Sequence, residues 1–336
     1  MNGLYILEMS RDFKYHIRVK RMDRQIPTLM GLFAILFWST TIAFSRSVAE
    51  KIGTLNTAFF TMLCSGIFLL LIQLLIYKKE FFRKIFRLPF AYLYKVGTFL
   101  VLYMALFYIA VGEAASREAV IVVGIINYLW PGLVFLFSIP ILKNRAKYLR
   151  LTFGILLAFG GTTTAILEGH QLSLADIKSA FYGSITPYIF AFIAAVFWGI
   201  YSNMTRKLQI KEDVVALPVL FLITSFVILI LQLLKGESPQ LNLYGAQYLE
   251  FAYVVIFPTA ISYLFWDNAM KRGNKDLVAA VSYLIPLAST LISGYYLKVT
   301  INIGFGMAAV LVIIGAVLCR WSIIEREKTG KKRGKV

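Results

Sequence analysis

INYLWP, Ile126–Pro131, returns as VSYLIP at Val281–Pro286, with tyrosine, leucine and proline in register. Each copy lies inside an apolar run, and about 20 such residues as a helix span a bilayer core. A helix built only to cross lipid has little use for an amide, two large aromatics and a helix breaker together. Proline at 131 cannot donate to the carbonyl at 127, and its ring crowds that turn; Pro286 does the same to the carbonyl of Ser282. Both helix kinks therefore fall at repeat-equivalent positions. Each frees a backbone acceptor at a depth tolerated only inside protein or beside a watery cavity.

The echo extends outward. FWSTTIAFSR (Phe37–Arg46) resembles FWGIYSNMTR (Phe197–Arg206), and LYMALFYIAVG (Leu102–Gly112) faces SYLFWDNAMKRG (Ser262–Gly273), setting Tyr103 over Tyr263. Gly160 aligns with Gly315 on the offset that relates the two prolines. Ten spans are expected, at 26–47, 54–77, 90–111, 118–142, 149–168, 187–208, 214–234, 248–270, 277–297 and 301–323. Each half holds five. An odd number makes the second half enter the membrane the other way, and inverted repeats create substrate sites near the midplane where they meet. The expected fold is an all-α polytopic membrane protein of ten transmembrane helices in two inverted five-helix repeats. The expected domains are a basic tail (1–21), the first repeat (22–168), a linker (169–186) with a turn of interfacial helix in LSLADIKSAFYG, the second repeat (187–323), and a basic tail (324–336).

Composition agrees. The 336 residues are 59% hydrophobic and 15% charged, with mean hydropathy +0.73, where soluble domains are about a quarter charged. The net charge of +18 is confined to short segments between apolar runs, the pattern of loops facing anionic lipid and not of a nucleic-acid surface. In the ten-span arrangement 28 Lys and Arg fall on one side and six on the other, with Lys95 inside the third span. The positive-inside rule then sets both termini in the cytoplasm and makes the lipid bilayer the only large partner expected. No small-residue cleavage site follows the first apolar run, so no cleavable signal is expected. Met22 would make a natural start, with the preceding residues as a misassigned extension. Cys64 and Cys319 both lie in apolar segments and read as small buried hydrophobes.

Chemistry-bearing residues within spans are few. Trp normally prefers the interface; Trp266 and Trp321, near expected cytoplasmic ends, fit that rule. Trp38, Trp130 and Trp198 lie near span centres, where each indole N–H needs a partner. They are either core or the lining of a cavity, and the repeat relation of Trp38 to Trp198 favours the cavity. Asn127, Trp130 and Pro131 share a helix face by spacing, with Tyr128 turned about 100° from Asn127. Rings beside hydrogen-bonding groups suit an amphipathic aromatic molecule or an organic cation. Asp267 is the clearest intramembrane acid. It either carries a coupling proton or meets a substrate ammonium, or pairs with Lys271 one turn on. Arg46 and Arg206 occupy equivalent helix ends and read as solvated or bound to lipid phosphate. His16 and His170 lie outside the spans, and no metalloprotease, nucleophile-elbow or phosphate-loop motif occurs. No enzyme activity, cofactor or metal is therefore expected.

At GLFAILFWST, INYLWP and YIFAFIAAVFWGIYSNMTRK the chain resembles the aromatic amino-acid exporters of the drug/metabolite transporter superfamily, built from two EamA-type repeats, over about Met22 to Trp321. The resemblance implies that helices 1, 3, 4, 6, 8 and 9 surround a central cavity braced by 5 and 10. It also implies Tyr103, Tyr128, Trp130 and Trp198 as cavity residues, with Trp38 a further candidate. Met104 stands where some relatives carry a polar or ionisable residue, and Asp267 where an Asn is found. With Asn127 and Tyr283, these make the expected substrate-binding set. The implied function is inner-membrane export of Phe, Tyr, Trp and related metabolites by alternating access. Export of other amino acids, quaternary amines or drugs is the nearest alternative, and a membrane enzyme or assembly factor with a lipid groove the more distant one.

Overall fold

The architecture comes from a computed structural model that describes residues 24–41, 44, 48–181, 184–210, 215–297 and 303–324. Among the described residues, nine helices are long and apolar enough to cross a membrane. Ahead of them runs α1 (24–41), the described part of the expected first span; the rest of that span, Arg46 included, lies outside the described residues. The first repeat continues with α2 (Thr54–Tyr77), a short α3 (Lys79–Phe86) and α4 (Phe90–Glu113). It ends with α5 (Arg117–Asn127), α6 (Trp130–Leu142) and α7 (Tyr148–His170). The linker forms α8 (Leu174–Ala180). The second repeat has α9 (Thr186–Lys207), α10 (Ala216–Leu234), α11 (Ala246–Arg272), α12 (Lys275–Val281), α13 (Ile285–Leu297) and α14 (Ile303–Ser322).

The irregularities fall at matching places. In the fourth span α5 stops at Asn127, Tyr128 sits at ψ 5, and α6 starts with Pro131 as its second residue. In the ninth, α12 gives way to one tight turn at Ser282–Leu284 before α13, whose second residue is Pro286. A proline in the first turn of a helix gives up an N–H that had no intrahelical partner anyway. Each kink is therefore resolved as a restart of the helix. The third span of each repeat also widens into a π segment, Leu93–Gly97 in α4 and Val255–Ile261 in α11. In α11 the cause is Pro258, which has no N–H to give and crowds the preceding turn. The carbonyls displaced there are met from other helices: Ser65 Oγ donates to Val255 O at 2.9 Å, and Trp38 Nε1 to Pro258 O at 2.8 Å.

Packing repeats the symmetry. The fifth span of each half, α7 and α14, forms the most extensive pair, and the second spans, α2 and α10, also pair. Small residues bring the α7 and α14 backbones together: a Cβ on Gly161 would lie 2.8 Å from Ala308 O, and one on Gly315 only 2.3 Å from Ala158 N and 2.6 Å from Gly154 O. Gly161 with Ala308 and Gly154 with Gly315 are thus the same contact exchanged between repeats. The residue equivalent to Gly315 is Gly161. Gly160, which the sequence offset selects, has nothing within 4 Å of its would-be Cβ.

The connections are economical. Ser173 caps α8 through a capping box with Asp176, and these bonds hold the Asp176 carboxyl below its usual range. Arg145–Ala146 (β1) pairs antiparallel with Ile323–Ile324 (β2), tying the loop before α7 to the end of α14.

Candidate functional site

The centre of the molecule is made of rings. Trp38 from α1, Trp130 from α6, Trp198 from α9 and Trp266 from α11 are all in mutual contact, with centroids 5.3–6.3 Å apart. Most of these pairs are edge to face, the arrangement the ring quadrupole favours. Tyr103 lies 4.7 Å from Trp198, Tyr263 lies 5.4 Å from Trp38 and 5.5 Å from Trp198, and Tyr201 lies 5.6 Å from Trp198. Spans 1, 3, 4, 6 and 8 therefore all reach one cluster. The rings are closed on one another, so a substrate ring enters this centre only if they part.

Trp266 corrects the sequence reading. It is fully buried, touches all three other tryptophans, and donates from Nε1 to Ser202 Oγ at 3.2 Å. The signal lay in its spacing: Trp266 is one turn from Tyr263, which the repeat already paired with Tyr103. Tyr201, one turn from Trp198, was missed for the same reason. Trp321, by contrast, is exposed.

Hydrogen bonding is uneven across the cluster. Trp38 and Trp266 have acceptors, whereas Trp198 Nε1 is buried with no partner. Asn127, at the end of α5, is buried beside Tyr103, yet its Oδ1 also holds no hydrogen bond. Unmade bonds on buried polar atoms cost about 1–3 kcal/mol each. Two in one cluster mark a place where a ligand can supply the missing groups. Met104 is buried, and its sulfur accepts from the Tyr263 hydroxyl at 3.6 Å. Tyr128 is half-buried at the α5–α6 break and packs against the same core.

Two expected site residues lie elsewhere. Tyr283, in the tight turn before α13, directs its hydroxyl to Gly132, where a Cβ would come within 2.7 Å, and to Cys319. It joins spans 4, 9 and 10 and makes no ring contact with the tryptophans. The ninth span, expected to line the centre, does not reach it through this residue. Asp267 pairs with Lys271 and accepts from Thr205 Oγ1 at 2.6 Å and Tyr201 Oη at 3.2 Å. Both members of the ion pair are buried. Arg206, expected to be solvated, donates to the carbonyls of Met270 and Gly273 at 3.2 Å each, joining the end of α9 to the end of α11. Among the described residues no three His, Cys, Asp or Glu side chains converge as metal ligands would.

Two repeat units whose helices meet at one shared aromatic centre define a membrane transporter. The chain belongs to the EamA-like transporter family, whose model matches residues 25–167 and 185–321, once per repeat. It is 28% identical over 298 residues to the aromatic amino acid exporter YddG of Salmonella typhimurium (strain 14028s), covering 89% of this chain and 98% of that protein. The figures are the same for the Escherichia coli (strain K12) protein of that name. The Ancylobacter novellus protein of that name is 27% identical over 287 residues, covering 81% of this chain and 88% of its own. A crystal structure at 24% identity superposes with a TM-score of 0.72, covering 88% of this chain and 98% of the other, and so shares the fold.

Proposed function

We propose that this multi-pass protein exports aromatic amino acids, Phe, Tyr and Trp, and related metabolites across the inner membrane, with both termini in the cytoplasm. The two repeats rock around the midplane cluster. As they part, the rings of Trp38, Trp130, Trp198 and Trp266 exchange contacts with one another for contacts with a substrate ring. The single observation that carries this reading is the convergence of those four tryptophans beside an unpartnered indole N–H and an unpartnered amide oxygen. The printed names of the relatives point the same way. Asp267, held by Lys271, Tyr201 and Thr205, serves in this reading to fasten α9 to α11 and not to carry a proton.

The test is uptake of labelled tryptophan into inside-out vesicles, for the wild type and Trp198→Ala, with and without a proton gradient. Saturable uptake that the variant loses while inserting normally supports the proposal, and the gradient arm reports the energy source. Phe, Tyr and Trp should be the best competitors among amino acids. Uptake no higher than in empty vesicles, under conditions where a control exporter works, overturns it.

A further inference from the structure

The polar groups at the ring cluster are unequal in sign. Its unpartnered amide atom, Asn127 Oδ1, is an acceptor. The Tyr263 hydroxyl spends its proton on Met104 Sδ, which leaves the phenol oxygen's lone pairs to face a ligand. The four indoles add ring faces, each carrying negative quadrupole density. Against these stands one unpartnered donor, the neutral Trp198 Nε1–H. The nearest buried cation, Lys271, is already neutralised by Asp267, and the residue after Tyr103 is the uncharged Met104. Lys95, on the same span, is exposed.

A carboxylate brought into such surroundings loses its water and meets no cation in return, which is the costly case for a buried charge. An ammonium meets ring faces and carbonyl-type oxygens, which is the favourable case. The edge-to-face packing of the indoles shows that these faces already attract positive charge: each takes the electropositive edge of a neighbour. A ligand cation competes for the same faces with a full charge.

We infer that the central site recognises a protonated amino group next to an aromatic ring, and that a carboxylate is dispensable. Aromatic amines lacking a carboxylate are then ligands of this protein in their own right. The inference rests on the proposed function for the location of the site, and goes beyond it in substrate class.

The experiment is equilibrium binding of labelled tryptophan, tryptamine and indole-3-propionate to the full-length protein in detergent, at neutral pH. Tryptamine keeps the ammonium and lacks the carboxylate; indole-3-propionate does the reverse. Tryptamine is expected to bind at least as tightly as tryptophan, and indole-3-propionate at least tenfold more weakly. Asn127→Leu should narrow that gap, and Asn127→Asp, which adds negative charge at the same atom, should widen it about tenfold. Because the Asp variant conserves size, it keeps the test alive if the Leu variant does not fold. Tryptophan binding with tryptamine tenfold weaker, or indole-3-propionate equal to tryptamine, overturns the inference and leaves the proposed function standing. Tryptamine binding without tryptophan supports the inference and overturns the aromatic amino acid reading. Binding of none of the three overturns both.

Discussion

The indole N–H of Trp38 donates to the carbonyl of Pro258, 220 positions along the chain and 2.8 Å away. Pro258 lies in the π segment of α11, and the donor comes from the first span of the opposite repeat. A residue that widens one helix is thereby completed by a ring from another. Trp38→Phe keeps a ring and deletes the donor, so the buried carbonyl should lose its partner at a cost of about 1–3 kcal/mol. Reversible denaturation in mixed micelles should show a loss in that range, and a stability equal to wild type would mean that the carbonyl finds another donor.

Trp198 gives the converse case, since its N–H has no partner within the protein. Trp198→Phe should cost little stability beyond its smaller ring, whereas Trp198→Ala should cost about 3–5 kcal/mol by opening a cavity. Transport should still fall about tenfold or more in the Phe variant if the N–H serves the substrate, because a hydrogen bond to a charged group contributes about 1.5–3 kcal/mol. Vesicle uptake on the stable Phe variant separates the two effects. Full transport by it would assign the ring alone to recognition.

The Asp267–Lys271 pair is buried and satisfied. Removing one charge should strand the other, so Asp267→Asn and Lys271→Met should each destabilise by about 3–5 kcal/mol, while the double variant recovers much of the loss. If the double variant also keeps gradient-driven uptake, the acid is structural. Uptake that becomes indifferent to the gradient in a stably folded double variant would return Asp267 to coupling.

Adjacent glycines in α7 should respond differently to one methyl group. Gly161→Ala drives a Cβ to 2.8 Å from the carbonyl of Ala308, while at Gly160 nothing lies within 4 Å. Thermal unfolding should fall clearly for Gly161→Ala. Gly160→Ala should be neutral or slightly stabilising, since Ala is favoured over Gly in a helix by about 1 kcal/mol. Equal effects at both positions would mean that α7 meets α14 on another face.

Much was legible without coordinates. Apolar run lengths and basic segments gave the membrane class. The two Tyr-Leu-X-Pro stretches, Tyr128–Pro131 and Tyr283–Pro286, marked helix restarts at matching places, because proline acts on its own backbone within one turn. The alignment of Tyr103 with Tyr263 also held in space, since both reach Trp198. Local chemistry of this kind depends on near neighbours in the chain, so it is written in the sequence.

Depth and partnership were not. Counting from the end of an expected span put Trp266 at the interface, but α11 extends to Arg272 and contains a π segment, which alters both depth and facing. The repeat likened Tyr283 to Tyr128, yet neighbouring helices send its hydroxyl to Gly132 and Cys319. Asp267 carried two sequence readings of equal weight until Thr205 and Tyr201 from α9 closed around it. The sequence by itself determined the class of protein, its repeats and its kinks, because these follow from hydrophobic run length and backbone chemistry. Only the tertiary structure decided which rings meet and which polar atoms stay unpaired, because a buried group's environment is supplied by helices far away along the chain.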